Sequence, residues 1–216
     1  MPRLRQINRA NADSSILPMY DALFGERDPV AEPGTATGTA GNWWTVFALV
    51  PDCFNHAMEG FQFYRSEKRQ ISSKLRELGQ TRAGYARGSQ FVYSQHCKSL
   101  RAEGFSEEQI LAIPNWACSD LFDPLEKAVL AYTDDLVLAG GRVADGTFAV
   151  LKEHLSDEAI LELTYITCNY EMHATMCRAL RLEYDDVDER LVEIPAPDEG
   201  AKKMDFMAAV DKNQTD

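Results

Sequence analysis

The chain is poor in positive charge: 22 Lys and Arg stand against 34 Asp and Glu, a formal net charge of −12 over 216 residues. Proteins that grip phosphate backbones do so with clustered Lys and Arg, so the balance argues against nucleic acid as a partner. An anionic membrane surface is disfavoured for the same reason. The acidity serves solubility first. Long apolar runs are also missing. A membrane-spanning helix needs about 18 or more consecutive apolar residues, and none occurs. Met1-Pro2-Arg3-Leu4-Arg5-Gln6 turns polar at once, unlike a signal peptide. Cysteine is sparse and badly arranged for crosslinking: positions 53, 97, 118, 168 and 177 are odd in number, widely spaced and contain no Cys-x-x-Cys. That usage fits reduced thiols in the cytoplasm, not a disulfide scaffold or a zinc site. Histidine is scarce as well, and no HExxH-type spacing occurs. His96, His173 and a carboxylate could in principle meet around an ion, but no metal is expected.

What the chain does have is helical periodicity. At 45% hydrophobic and 26% charged it reads as a globular protein able to bury its own core. Residues 1–42 form an extension with a short apolar-periodic piece (Ile16, Leu17, Tyr20, Leu23, Phe24) and a Gly/Pro-rich loop over 31–42, read as a surface connection or a lid. The helical domain spans 43–185. It opens on a helix–turn–helix of aromatics, Trp43, Trp44, Phe47, Phe54, Phe61, Phe63 and Tyr64, broken at Pro51. Ile71, Leu75 and Leu78 predict a helix over 67–79 with Gly79 as its stop. Further helices are predicted from about Ser89 to Glu103, from the capping box at Ser106 to Pro114, from Asp123-Pro124 to Gly140-Gly141, from Asp145, and over 157–181 behind Ser156. Residues 186–216 read as an acidic arm or disordered tail. No strand pattern is convincing, so the fold class is all-α.

Two stretches carry chemistry-bearing residues. In Gln90-Phe91-Val92-Tyr93-Ser94-Gln95-His96 the histidine sits on a mostly apolar helix face, where it is either a hydrogen-bonded core residue or a catalyst. In Leu75-Arg76-Glu77-Leu78 the carboxylate falls off the apolar stripe, which on periodicity alone reads as solvated.

The order of these stretches resembles the carboxymuconolactone decarboxylase family of the alkylhydroperoxidase D-like superfamily. The resemblance rests on Leu75-Arg76-Glu77-Leu78, His96, Ala102-Glu103-Gly104-Phe105-Ser106-Glu107-Glu108-Gln109-Ile110, Leu125-Glu126-Lys127-Ala128-Val129-Leu130-Ala131-Tyr132, Leu161-Glu162-Leu163-Thr164 and Tyr170. The peroxidase branch resembles a Glu followed after twelve residues by Cys-x-x-Cys-x-x-x-His. Aligned on His96, its cysteines fall on Ser89 and Val92 and its acid on Glu77. The acid and the histidine are thus kept while both thiols are replaced. Thiol peroxidase turnover needs an activated thiolate and a resolving cysteine, and neither Ser89 nor Val92 supplies one. The decarboxylase branch resembles Glu-Trp-x-x-His, which here reads Val92-Tyr93-Ser94-Gln95-His96, so that acid is missing too.

The resemblance therefore implies an all-α bundle, a trimer or hexamer, and a site built on Glu77 and His96. The aromatics of 43–64 are read as core, with a substrate wall as the lesser alternative, and their surplus is consistent with a buried subunit interface. The expected chemistry is a cofactor-independent acid–base lyase, decarboxylase or isomerase acting on a small organic acid or lactone. In it His96 moves the proton and Glu77 orients the ring. Tyr93 and Gln95 would hold a developing oxyanion, and Ser89 either contacts substrate or caps its helix. The alternatives are a peroxidase using Cys97 or Cys53 and a binding protein that has lost turnover.

Overall fold

The computed structural model describes residues 1–186 and 191–195. Its regular elements are helices: 62% of the described residues are helical, and they contain no strand. The chain divides into two compact units.

The first unit holds Met1–Phe63 together with the described residues from Leu180 to 186. It contains α1 (Leu17–Phe24), α2 (Asn42–Phe47) and most of α3 (Pro51–Arg65). Pro51 stands at the first position of α3, where a missing N–H costs nothing. Trp43 stacks on Phe47 at 3.9 Å between ring centroids and lies within 5.5 Å of Phe61 and 6.2 Å of Phe54. These aromatics are buried against one another inside a single chain. They are spent in the core of this unit. The 31–42 loop is tied down: Gly34 and Thr35 donate backbone bonds to Ala40 and Thr39, and the Arg27 guanidinium donates to the Gly34 carbonyl at 2.7 Å. Gly41, at φ +93°, packs so tightly that a Cβ there would sit 2.6 Å from the Phe24 ring. The loop is held by its own backbone bonds, by Arg27 and by the close packing of Gly41 on Phe24.

The second unit runs from Tyr64 to Ala179 with the segment ending at Ile194. It contains α4 (Ser73–Ala86), α5 (Gln90–Ala102), α6 (Glu107–Ala112), α7 (Pro124–Val137), α8 (Asp145–His154) and nearly all of α9 (Asp157–Leu180). Caps set these boundaries. Ser89 accepts from the Val92 N–H at 3.2 Å, Ser156 from the Ala159 N–H at 3.1 Å, and both Ser106 and Asp123 close capping boxes. The sequence misplaces both ends of one helix. Gly79 does not end a helix at 67–79; it lies inside α4, which starts after the Ser72 cap and continues to Ala86. Its missing side chain serves packing: a Cβ at Gly79 would come within 3.0 Å of Thr167 Oγ1 and 3.4 Å of Leu163 Cδ1, so α9 can lie close against α4 only because residue 79 has none.

Helix α4 is the axle of this unit. Ten consecutive residues, Leu75 to Gly84, are buried, charged ones included. On one side Arg82 forms a bidentate pair with Asp134 of α7 at 2.7 and 2.9 Å and donates to the Ile113 carbonyl at 3.0 Å. Trp116 Nε1 donates to the same carboxylate at 3.0 Å. On another side Gly84 lets α5 approach, since a Cβ there would lie 2.8 Å from the Tyr93 backbone nitrogen and from Val92 Cγ1.

Of the predicted tail, residues 187–190 and 196–216 lie outside the described residues. The segment 191–195 crosses α5: Val192 N donates to Gln90 Oε1 at 3.3 Å, Ile194 N donates to Ser94 Oγ at 2.9 Å, and Glu193 pairs with Arg101. Among the described residues, no helix is long and apolar enough to cross a membrane.

Candidate functional site

The close α4–α5 approach brings Glu77 and His96 together. His96 Nδ1 lies 2.6 Å from Glu77 Oε2, with both side chains almost wholly buried at 7% and 3% residue exposure. The second carboxylate oxygen, Oε1, accepts from the Arg76 guanidinium at 3.0 Å. Arg76 is held in turn by the Tyr64 carbonyl, at 2.6 Å, and lies over the Tyr64 ring.

The electrostatics follow from this arrangement. Burial pushes the Glu77 carboxyl upward, but the combined pull of His96 and Arg76 outweighs it, and the net shift is below the ordinary 4.5. Glu77 is therefore an anion at neutral pH. A carboxylate only accepts, so the Nδ1 that faces it carries a proton. Tyr170 of α9 closes the other side: its ring meets that of His96 edge-on at 4.4 Å and that of Tyr64 at 5.5 Å. Burial drives the Tyr170 hydroxyl well above its ordinary value, and its bond to Tyr64 adds to the shift, so both phenols stay protonated. The sequence does not single out Arg76, Tyr64 or Tyr170 as site residues. The one signal for Arg76 is its place beside Glu77; nothing in the local pattern marks Tyr64.

The remaining sequence candidates lie differently. Ser89 is buried and its hydroxyl caps α5, accepting from Val92 N. Tyr93 is buried with its ring against Tyr85 at 5.5 Å and its hydroxyl bonded to Cys97, a direction other than that of His96. Gln95 is half-buried. The structure thus brings together Glu77 and His96 but not Tyr93 with them. His173 is buried on α9, its Nδ1 donating to the Asn169 carbonyl at 2.9 Å, a bond along its own helix. Among the described residues, no three His, Cys, Asp or Glu side chains cluster as a metal site would require. Cys97 is fully buried, and burial with the nearby Glu193 carboxylate pushes its thiol up to about 12.

The helical fold is shared with alkylhydroperoxidase D-like proteins. A peroxidase-related protein from Ralstonia eutropha with an alkylhydroperoxidase AhpD core superposes with a TM-score of 0.66 at 18% identity, over 84% of this chain and 90% of its own. A protein of unknown function from Agrobacterium tumefaciens, considered a candidate AhpD for antioxidant defence, gives 0.58 at 24% identity over 68% and 96%. The debrominase Bmp8 gives 0.61 at 15% over 96% and 95%. Residues 54–135 match the model of the carboxymuconolactone decarboxylase family. Comparison with curated proteins returned no match.

Proposed function

We propose that the protein is a cofactor-independent acid–base enzyme, a lyase, decarboxylase or isomerase acting on a small organic acid or lactone. The observation that carries the reading is the buried 2.6 Å contact between His96 Nδ1 and an ionised Glu77. With Nδ1–H committed to the carboxylate, Nε2 is the base: it takes a proton from an acidic carbon or hydroxyl and returns it to the product. Glu77 stabilises the imidazolium formed between these events, and Arg76 keeps Glu77 from taking that proton itself. A positioned base of this kind contributes about 10²–10⁴ in rate.

A thiol peroxidase reading is weakened by Cys97. With its thiol at about 12, roughly one molecule in 10⁵ carries the thiolate at neutral pH, far from the lowered values of reactive cysteines. Cys53 is exposed. A non-catalytic binding role is the third reading, and it predicts saturable binding without turnover.

Proton NMR in D2O over a panel of small lactones and keto acids tests the proposal. His96-dependent loss of a carbon-bound proton supports it, and a His96→Gln variant that exchanges as well as the wild type removes it. Self-association belongs to the same reading. It is supported by Leu161, Tyr165, Cys168 and Met172, a solvent-exposed and largely apolar row along α9. Light scattering that returns a monomer would remove this part.

A further inference from the structure

The least expected residue near the site is Gln80. It has 0% exposure, and neither its Oε1 nor its Nε2 has a hydrogen-bond partner among the described residues. Buried amides are almost always paired, because losing water without gaining a partner is costly. Arg76 Nε, one turn earlier on the same helix, and Thr167 Oγ1, which faces the adjacent Gly79 from α9, share the condition.

The helix geometry says where Gln80 points. At about 100° per residue, Gln80 is turned about 60° from Glu77 toward Arg76, one turn further along α4. Glu77 and Gly84, turned to nearly the same side of α4, face α5 through His96 and Val92. Gly79, turned about 160° from Glu77, faces α9 through Thr167 and Leu163. Gln80 lies between these two directions and, along α4, between the level of His96 and that of Val92. Its side chain therefore leaves α4 on the side of the wedge between α5 and α9, the wedge in which the His96 and Tyr170 rings meet.

We propose that the Gln80 carboxamide is the specificity-determining contact of this site and holds a small neutral molecule presenting a carbonyl beside an N–H or O–H, as a lactam, a carboxamide or a protonated carboxylic acid does. A primary amide with both ends unfilled matches such a group in two antiparallel bonds: Nε2–H donates to the carbonyl and Oε1 accepts from the N–H or O–H. Neutrality follows from the surroundings. Arg76 already balances Glu77 and Arg82 already balances Asp134, so neither of these buried guanidinium groups is left over for an anion. Because Gln80 has no exposed surface, a ligand reaches it only when the helices around the wedge move apart. The proposal rests on the acid–base reading for its purpose and on the unpaired amide for its location.

The test uses the full chain and two cyclic probes, 2-pyrrolidinone, which carries the paired carbonyl and N–H, and N-methyl-2-pyrrolidinone, whose donor is blocked. Binding is followed by protein-observed NMR titration of the wild type, Gln80→Leu and His96→Gln, with thermal unfolding of each. The expected result is 2-pyrrolidinone binding at least about tenfold tighter than its N-methyl analogue, and lost by at least about tenfold in Gln80→Leu, since a site built for a hydrogen bond rejects a partner that cannot make it. Gln80→Leu should melt no lower than the wild type, because it removes two unpaired buried atoms. Should it not fold, Gln80→Met replaces it with an unbranched apolar chain. Equal binding by wild type and Gln80 variant, equal binding of the two probes, or no binding of 2-pyrrolidinone overturns the proposal. Gln80-dependent binding together with His96-independent proton exchange would sink the acid–base reading alone. His96-dependent exchange unaffected at Gln80 would sink this inference alone.

Discussion

Replacing Glu77 by Gln is the sharpest perturbation of the site, because it keeps the shape and removes the charge. In the wild type the carboxylate satisfies two buried partners, His96 at 2.6 Å and Arg76 at 3.0 Å. The amide oxygen that Glu77→Gln leaves behind can accept from one of them; the new NH2 faces the other. Arg76 retains the Tyr64 carbonyl at 2.6 Å but loses its counter-charge. Breaking a buried pair by removing one partner costs about 3–5 kcal/mol, and the retained bond argues for the lower end, about 3 kcal/mol. Urea unfolding at pH 7 measures this directly, and 15N shifts of His96 report the second consequence: Nδ1 protonated in the wild type, and no longer fixed there in Glu77→Gln. The pH dependence has a definite sign. The folded pKa of Glu77 lies below its ordinary 4.5, so its contribution is fully present above that value and is lost as pH falls through the folded pKa. The wild type should therefore lose stability below about pH 4.5 more steeply than Glu77→Gln. A stability change under about 0.5 kcal/mol, the size of an ordinary surface substitution, together with unchanged His96 shifts, would refute the account of Glu77 as a buried, doubly bonded anion.

Three other outcomes are expected. Gly84→Ala should destabilise by about 1–3 kcal/mol, the range for an overpacked contact, since its Cβ would meet the Tyr93 backbone at 2.8 Å; wild-type stability in denaturant would mean that α4 and α5 can part cheaply. A variant with all five cysteines changed to Ser should keep whatever His96-dependent activity the protein has, and loss of that activity with the fold intact by circular dichroism would bring the thiol reading back. Arg82→Lys should cost about 2–3 kcal/mol in chemical denaturation, because an ammonium cannot reproduce the bidentate pair with Asp134, and a neutral result would show that the pair carries no stability.

The fold class and most helix boundaries are legible because the signals are local: a Ser or Asp at the cap, an apolar repeat, a glycine after the last turn. Ser89, Ser106, Asp123 and Ser156 are all used as the sequence suggests. Gly79 misleads because a glycine that ends a helix and a glycine that admits a neighbouring helix look alike in one dimension; only Thr167 and Leu163, far along the chain on α9, tell them apart.

The same non-locality divides the site. His96 and Glu77 can be paired through a family spacing. Local periodicity argues the other way for Glu77, since a carboxylate off the apolar stripe reads as solvated. That inference assumes one buried face per helix. Helix α4 has no solvent face between Leu75 and Gly84, so the amphipathic rule fails there, and the charged and polar residues it would send to water are forced to find partners inside. Arg82 found Asp134, and Arg76 and His96 found Glu77. Gln80, in the same buried run, found none among the described residues. A helix that buries so many polar groups satisfies them where packing alone is at stake, so the amide left unpaired beside a buried acid–histidine pair is where a partner from outside the chain has most to offer.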